Sequence, residues 1–291
     1  MMLHQSLCDS DVRCPGCLAK TRDKAHYRHM FDRKDARYKD TVTLDQTGMG
    51  ANRKSKRAKD KKLSDDPTDD RGIGNYRYGI VLCKVREDYW AFKPIRSLDS
   101  QEAKRVFREF CGQFGKGSPE TICTLVMYCD AHASLIKVAT DYGCSISHSP
   151  PGKPQANAEI ERKIGIAING IRAYLRQAGT PNCFWPFAGH CYAINSNAVS
   201  RKPGLDSSYK QITGNEWNMK DGKRTFIFGE LVMFRPAPTL ETPSKLDSTL
   251  KPGVFLDYYV NWRGEFTGQY VVCPLENFVG TNLDFRAPAK S

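Results

Sequence analysis

Asp40-Thr41-Val42-Thr43-Leu44-Asp45 is the stretch from which the rest of the chain can be read. Val42 and Leu44 alternate with polar neighbours, the period of a strand with one buried face, and the run ends on an acid. A carboxylate at a strand end faces a site more readily than a core. Outward from it, Tyr78 to Val85 and Tyr89 to Pro94 are aromatic and β-branched runs separated by Arg86-Glu87-Asp88. That is a hairpin pattern, so the sheet grows by antiparallel addition. Ser100 opens and caps a helix whose Ala103, Val106, Phe107 and Phe110 form one apolar stripe as far as Gly112. Ile122 to Cys129 reads as a buried strand ending at Asp130, Ala133 to Tyr142 as a short helix closed by Gly143, and Cys144 to Ser147 as a short strand. A Pro/Gly loop, Ser149 to Pro154, leads into a long helix from about Asn157 to Gln177, with Ile160, Ile164, Ala167 and Ile171 on its buried face. The order β-β-β-α-β-α-β-α predicts an α/β fold, a mixed sheet flanked by helices.

The composition changes on either side of this core. Residues 1–38 are rich in Cys, His, Lys and Arg and too poor in apolar residues to pack alone, so they need a metal or a neighbour. Cys14-Pro15-Gly16-Cys17 has the spacing of half a zinc site, with His4 before it and His26 and His29 after it. Residues 51–75 hold the basic run Arg53 to Lys62, including Arg53, Lys54, Lys56 and Arg57, followed by Asp65 to Asp70. Such a segment is expected to be a solvated, disordered insertion, suited to a nuclear import signal or a DNA-backbone contact. The core thus runs over 39–205. In 222–291, Phe226 to Arg235, Gly253 to Tyr259 and Tyr270 to Pro274 are short strands separated by turn residues, a small β-rich C-terminal module. Within the core, Phe184, Trp185 and Phe187 belong to another packed helix, as core aromatics rather than a stacking platform for bases.

A net charge of +12 favours polyanionic partners, nucleic acid first among them. The 11 cysteines lie scattered through apolar stretches, as buried reduced thiols do, which points to the cytoplasm or nucleus. No apolar run approaches the roughly 20 residues of a membrane span, so no membrane partner is expected.

Singly, a Glu on a helix is usually a solvated surface residue, and an Asp at a strand end usually a turn former. Asp45, Asp130 and Glu161 gain meaning from their arrangement. Two adjacent strands would bring the aspartates together, and the long helix would carry Glu161 across. Three convergent carboxylates are hard oxygen ligands suited to Mg²⁺ or Mn²⁺, and two such ions serve phosphoryl transfer.

The segment Ser149-Pro150-Pro151-Gly152-Lys153-Pro154-Gln155-Ala156-Asn157-Ala158-Glu159-Ile160-Glu161-Arg162 resembles the retroelement integrase signature. Thr41 to Thr47 and Val126 to Asp130 are similar to the segments around that family's first two acids. Gly229-Glu230-Leu231-Val232, Lys245-Leu246-Asp247 and Pro252 to Leu256 resemble the region downstream of the core in Copia-type retrotransposons. The resemblance implies a ribonuclease H-like core that trims the 3′ ends of element DNA and joins them to target DNA, as a homo-oligomer when active. It also implies Asp45, Asp130 and Glu161 as catalytic ligands of two Mg²⁺ or Mn²⁺ ions. Pro154, Gln155, Asn157, Arg162 and Lys163 would meet DNA, and Zn²⁺ at Cys14 and Cys17 would occupy a truncated N-terminal domain. The chain departs from the pattern at Ala131-His132, at Ala158 and in a shorter stretch between Asp130 and Glu161. A catalytically inactive, DNA-binding relic of a transposable element is the rival reading, since it shares charge and fold and differs only at the site. A ribonuclease H-type nuclease acting on RNA fits the acids but not the Pro-Gln-Asn-Glu-Arg segment.

Overall fold

The computed structural model describes residues 39–49, 71–130, 132–148, 158–200, 204–217, 224–236, 248–261 and 266–278. Cys14, Cys17 and the rest of residues 1–38 lie outside these residues, as do Arg53, Lys54, Lys56 and Arg57 of the basic run, and Pro154, Gln155 and Asn157.

Three strands, β1 (Thr41–Gly48), β2 (Tyr78–Lys84) and β3 (Tyr89–Ile95), form an antiparallel meander. Two short strands, β4 (Val126–Cys129) and β5 (Ser145–His148), extend it in parallel from the other side of β1. The sheet order is β3-β2-β1-β4-β5, a mixed sheet of ribonuclease H-like topology. Its pleat sorts the side chains into two cores. Val42, Leu44, Ile80, Leu82, Met127 and Cys129 face one way, against α1 (Ser100–Gly112) and α3 (Ala133–Tyr142). Val81, Cys83, Trp90 and Phe92 face the other, against α4 (Ala158–Ala178) and α5 (Trp185–Ala198).

Several boundaries differ from the sequence expectation. The cap of α1 is Asp99, whose carboxylate accepts from the backbone N–H groups of Gln101 and Glu102 at 2.9 Å; Ser100 is already inside the helix. The expected strand Ile122 to Cys129 is halved, because Pro119 starts a single helical turn, α2 (Pro119–Ile122), and β4 begins only where Val126 pairs with Thr41. Asp45 is not the last residue of β1: Gln46, Thr47 and Gly48 go on pairing with Ile80, Gly79 and Tyr78 after β4 has ended. Arg71 to Asn75, the end of the expected solvated insertion, form a turn closed between Gly72 and Tyr76. Gly72 packs so tightly on Pro186 and Trp185 that a Cβ there would lie 2.3 Å from the proline ring.

Phe184 and Trp185 are buried, in the α4–α5 core. A helix this apolar on all sides must be covered on all sides. On one side of α5, Asn197 accepts from the Trp90 backbone N–H and donates to the Trp90 carbonyl at 2.6 Å, so a side-chain amide partners the open edge of β3. On the other side lies a three-stranded antiparallel sheet, β6 (Leu231–Phe234), β7 (Lys251–Val260) and β8 (Phe266–Pro274), in the order β6-β7-β8. Its Phe255, Leu256, Tyr258 and Phe266 share one core with α4 and α5.

Burying this sheet also buries charge. Asp257 of β7 accepts from His190 Nδ1 of α5 at 2.8 Å, His190 Nε2 lies 3.1 Å from Lys93 Nζ of β3, and Lys93 lies 3.9 Å from Glu109 of α1. Burial pushes the Asp257 carboxyl up and the Lys93 ammonium down from their ordinary values. Among the described residues, no helix is long and apolar enough to cross a membrane.

Candidate active site

The register between β1 and β4 decides where the aspartates meet. Leu44 lies opposite Cys129 in the last pair of that parallel ladder, so Asp45 and Asp130 occupy the next positions, on strands about 4.8 Å apart. Parity sends both carboxylates to one face. Thr43 and Asp45 share the face of Val81 and Cys83, which α4 covers, and Tyr128 of β4 continues it, with Asp130 one residue beyond the strand. The position is where the parallel ladder of β1 and β4 ends, at the carboxyl end of β4, and open α/β sheets hold their ligands at such ends.

Glu161 arrives from the first turns of α4, where the helix dipole favours acids. The apolar stripe beneath it is the expected one: Ile160, Ala167 and Ile171 are buried and Ile164 is partly so. Glu161 itself is exposed at the margin of this stripe. The clearest electrostatic signature is on Asp45. Burial, and then the charges of Asp130 and Glu161, push its carboxyl up to about 6, against the pull of a 2.7 Å bond from the Gln46 backbone N–H. The same two aspartates, after burial, push the Cys129 thiol up to about 11. Asp130 and Glu161 thus both act on Asp45 through their charge. The ligand atoms of the three acids are not all within 4.8 Å of one another, a spacing wider than a single ion needs.

The elevated Asp45 carboxyl gives a stability test with a defined sign. Unfolded, the group titrates near 3.8; folded, near 6, so the native state holds the proton more tightly. The stabilisation is therefore complete below about pH 4 and lost as pH rises through 6, by about 3 kcal/mol. Urea unfolding in the presence of a chelator should show that loss between pH 4 and pH 7, and Asp45→Asn should remove it.

Side chains not anticipated from the sequence stand around the acids. His132 Nδ1 is 2.8 Å from Ser134 Oγ, and that hydroxyl is 3.4 Å from Gln46 Oε1, tying the start of α3 to β1 beside Asp45. Arg162 is exposed and bonded to Glu159 at 3.0 Å. Lys163, expected on the DNA face, is a correction: it is fully buried, in an ion pair with Asp88, its Nζ 5.7 Å from the Trp90 ring centre. The pattern held the signal, because Lys163 falls three residues after Ile160 and four before Ala167, on the buried stripe. A second cluster lies next to it. Cys83 Sγ and a carboxylate oxygen from each of Asp88 and Glu159 come within 4.8 Å of one another.

No protein-family model matches the sequence, and no curated protein matches it either. A solved structure to which the chain is similar is the catalytic core domain of BIV integrase, with a TM-score of 0.40 and 10% identity over 60% of this chain and 95% of that one.

Proposed function

We propose that the chain is the integrase of a Copia-type retrotransposon, a polynucleotidyl transferase acting on DNA. The reading is supported by the register that sets Asp45 beside Asp130 where the parallel β1–β4 ladder of a ribonuclease H-like sheet ends, with Glu161 near enough on α4 for its charge to act on Asp45. The retroelement signature from Ser149 to Arg162 supplies the choice among enzymes of that fold. Two Mg²⁺ or Mn²⁺ ions, when bound, activate the attacking oxygen and stabilise the leaving one. The three carboxylates would hold them, and Asp45, whose carboxyl is held up to about 6 in their absence, would be drawn to its ionised form on binding. The reaction class is in-line attack on phosphorus, first by water to trim a 3′ end and then by that 3′ hydroxyl on target DNA. Arg162 meets a DNA phosphate, the loop with Pro154, Gln155 and Asn157 shapes the strand end, and Arg53, Lys54, Lys56 and Arg57 contact the backbone. Zinc at Cys14 and Cys17, a homo-oligomer that holds two DNA ends, and action in the nucleus complete the proposal.

The test is a nicking and strand-transfer assay on labelled duplex DNA with Mg²⁺ or Mn²⁺. Joined products that disappear with a chelator are expected. Retention of DNA without products under either metal would instead favour the DNA-binding relic, to which the Ala131-His132 departure beside Asp130 also points.

A further inference from the structure

A lysine with no exposed surface is costly to bury and persists only where its charge is met. The Lys163 ammonium meets Asp88, which belongs to the tip of the β2–β3 hairpin and has left-handed backbone, φ 54°. Aspartate tolerates that conformation better than most residues. The tip is held in turn, with the Asp88 N–H donating to the Val85 carbonyl at 3.3 Å and Lys84 paired to Glu87 at 2.7 Å. Cys83 and Glu159 close the pocket around Asp88, with the indole of Trp90 beside the ammonium. Lys163 supplies a cation to Asp88, the carboxylate that this cluster shares with the ion pair.

Glu159 and Lys163, four residues apart, lie on one side of α4, turned to the hairpin tip. Glu161, two residues on from Glu159, lies about 200° round the helix, on the side where its charge reaches Asp45. The helix is held on one side and acts on the other. A roll of about 30° about its axis would move a group at its 5–6 Å outer radius by about 3 Å, far beyond the roughly 0.2 Å tolerance of a metal–oxygen bond. We propose that Lys163 and Asp88 are a positioning pair whose buried ion pair sets the rotation of α4 and so aims Glu161 at Asp45. This rests on the three-acid reading above.

The test compares Mn²⁺ affinity, by electron paramagnetic resonance on the metal-free chain, with the urea midpoint of unfolding. Lys163→Met leaves Asp88 uncompensated and lowers the midpoint. The double variant Lys163→Met/Asp88→Asn removes the stranded charge and recovers most of it. Both are expected to bind Mn²⁺ at least about tenfold more weakly than the native chain, as Glu161→Gln does, which is the scale of effects from groups that orient ligands. Affinity that recovers along with the midpoint in the double variant would overturn the pair's positioning role, since a purely structural role moves both together. Tighter Mn²⁺ binding in Lys163→Met would overturn it too, by placing the ion at Cys83, Asp88 and Glu159. Native affinity in Glu161→Gln would remove the three-acid site itself, and with it the proposal, whereas a loss there without a loss in the double variant would remove only the positioning pair.

Discussion

Asp130→Asn is expected to lower metal-dependent strand transfer by roughly 10³-fold or more, the scale for removing a group that acts on the charge of the transition state. Retention of DNA should change by less than about twofold, because phosphate contacts set affinity and Asp130 makes none that attract a polyanion. The substitution is nearly isosteric at an exposed position just beyond β4, so the fold should tolerate it. It should even relieve Asp45, whose carboxyl is held up partly by the Asp130 charge. Single-turnover joining of a pre-trimmed end, measured beside a retardation assay on the same DNA, separates the two effects. Native joining by the variant would detach Asp130 from the chemistry.

The second large effect is on stability, far from the acids. Asp257→Ala is expected to cost about 3–5 kcal/mol, the range for removing one partner of a buried ion pair. His190 and Asp257 have side-chain exposures of 11% and 10%, and without the aspartate the carboxylate left beside the Lys93 ammonium is Glu109, at 3.9 Å. The loss should be visible as a lower urea midpoint for the whole chain, because Phe255, Tyr258 and Phe266 of the tail sheet share a core with Trp90 and Phe92 of the central sheet. A separate early transition confined to the tail would show instead that the two sheets unfold independently.

What could be read from the sequence follows from which signals are local. Period-two alternation placed β1 to β3, and the four- and three-residue steps of Ile160, Ala167 and Ile171 placed α4, because each pattern is written in the residues that obey it. The meeting of Asp45 and Asp130 was also within reach, since a strand order that puts β4 beside β1 makes it nearly automatic. Boundaries were less readable. The N-cap moved from Ser100 to Asp99 because both residue types cap well and only the bonds to Gln101 and Glu102 decide between them. Two features depend on partners distant in sequence. Lys163 reads as a surface base until Asp88 is beside it, and His190 reads as one polar residue in an apolar helix until β3 and β7 bring Lys93 and Asp257 to its two nitrogens. The docking of the tail sheet was hidden for the same reason, as the aromatic residues that bind it to α5 form an ordinary half-buried strand pattern on their own.

The central claim is that Asp45, Asp130 and Glu161 form one divalent-ion site, and anomalous scattering from crystals of the native chain soaked in Mn²⁺ tests it most directly. Two peaks about 4 Å apart between the three carboxylates are predicted. A peak at Cys83, Asp88 and Glu159 with none at the three acids, or no peak at either place at millimolar Mn²⁺, would contradict it.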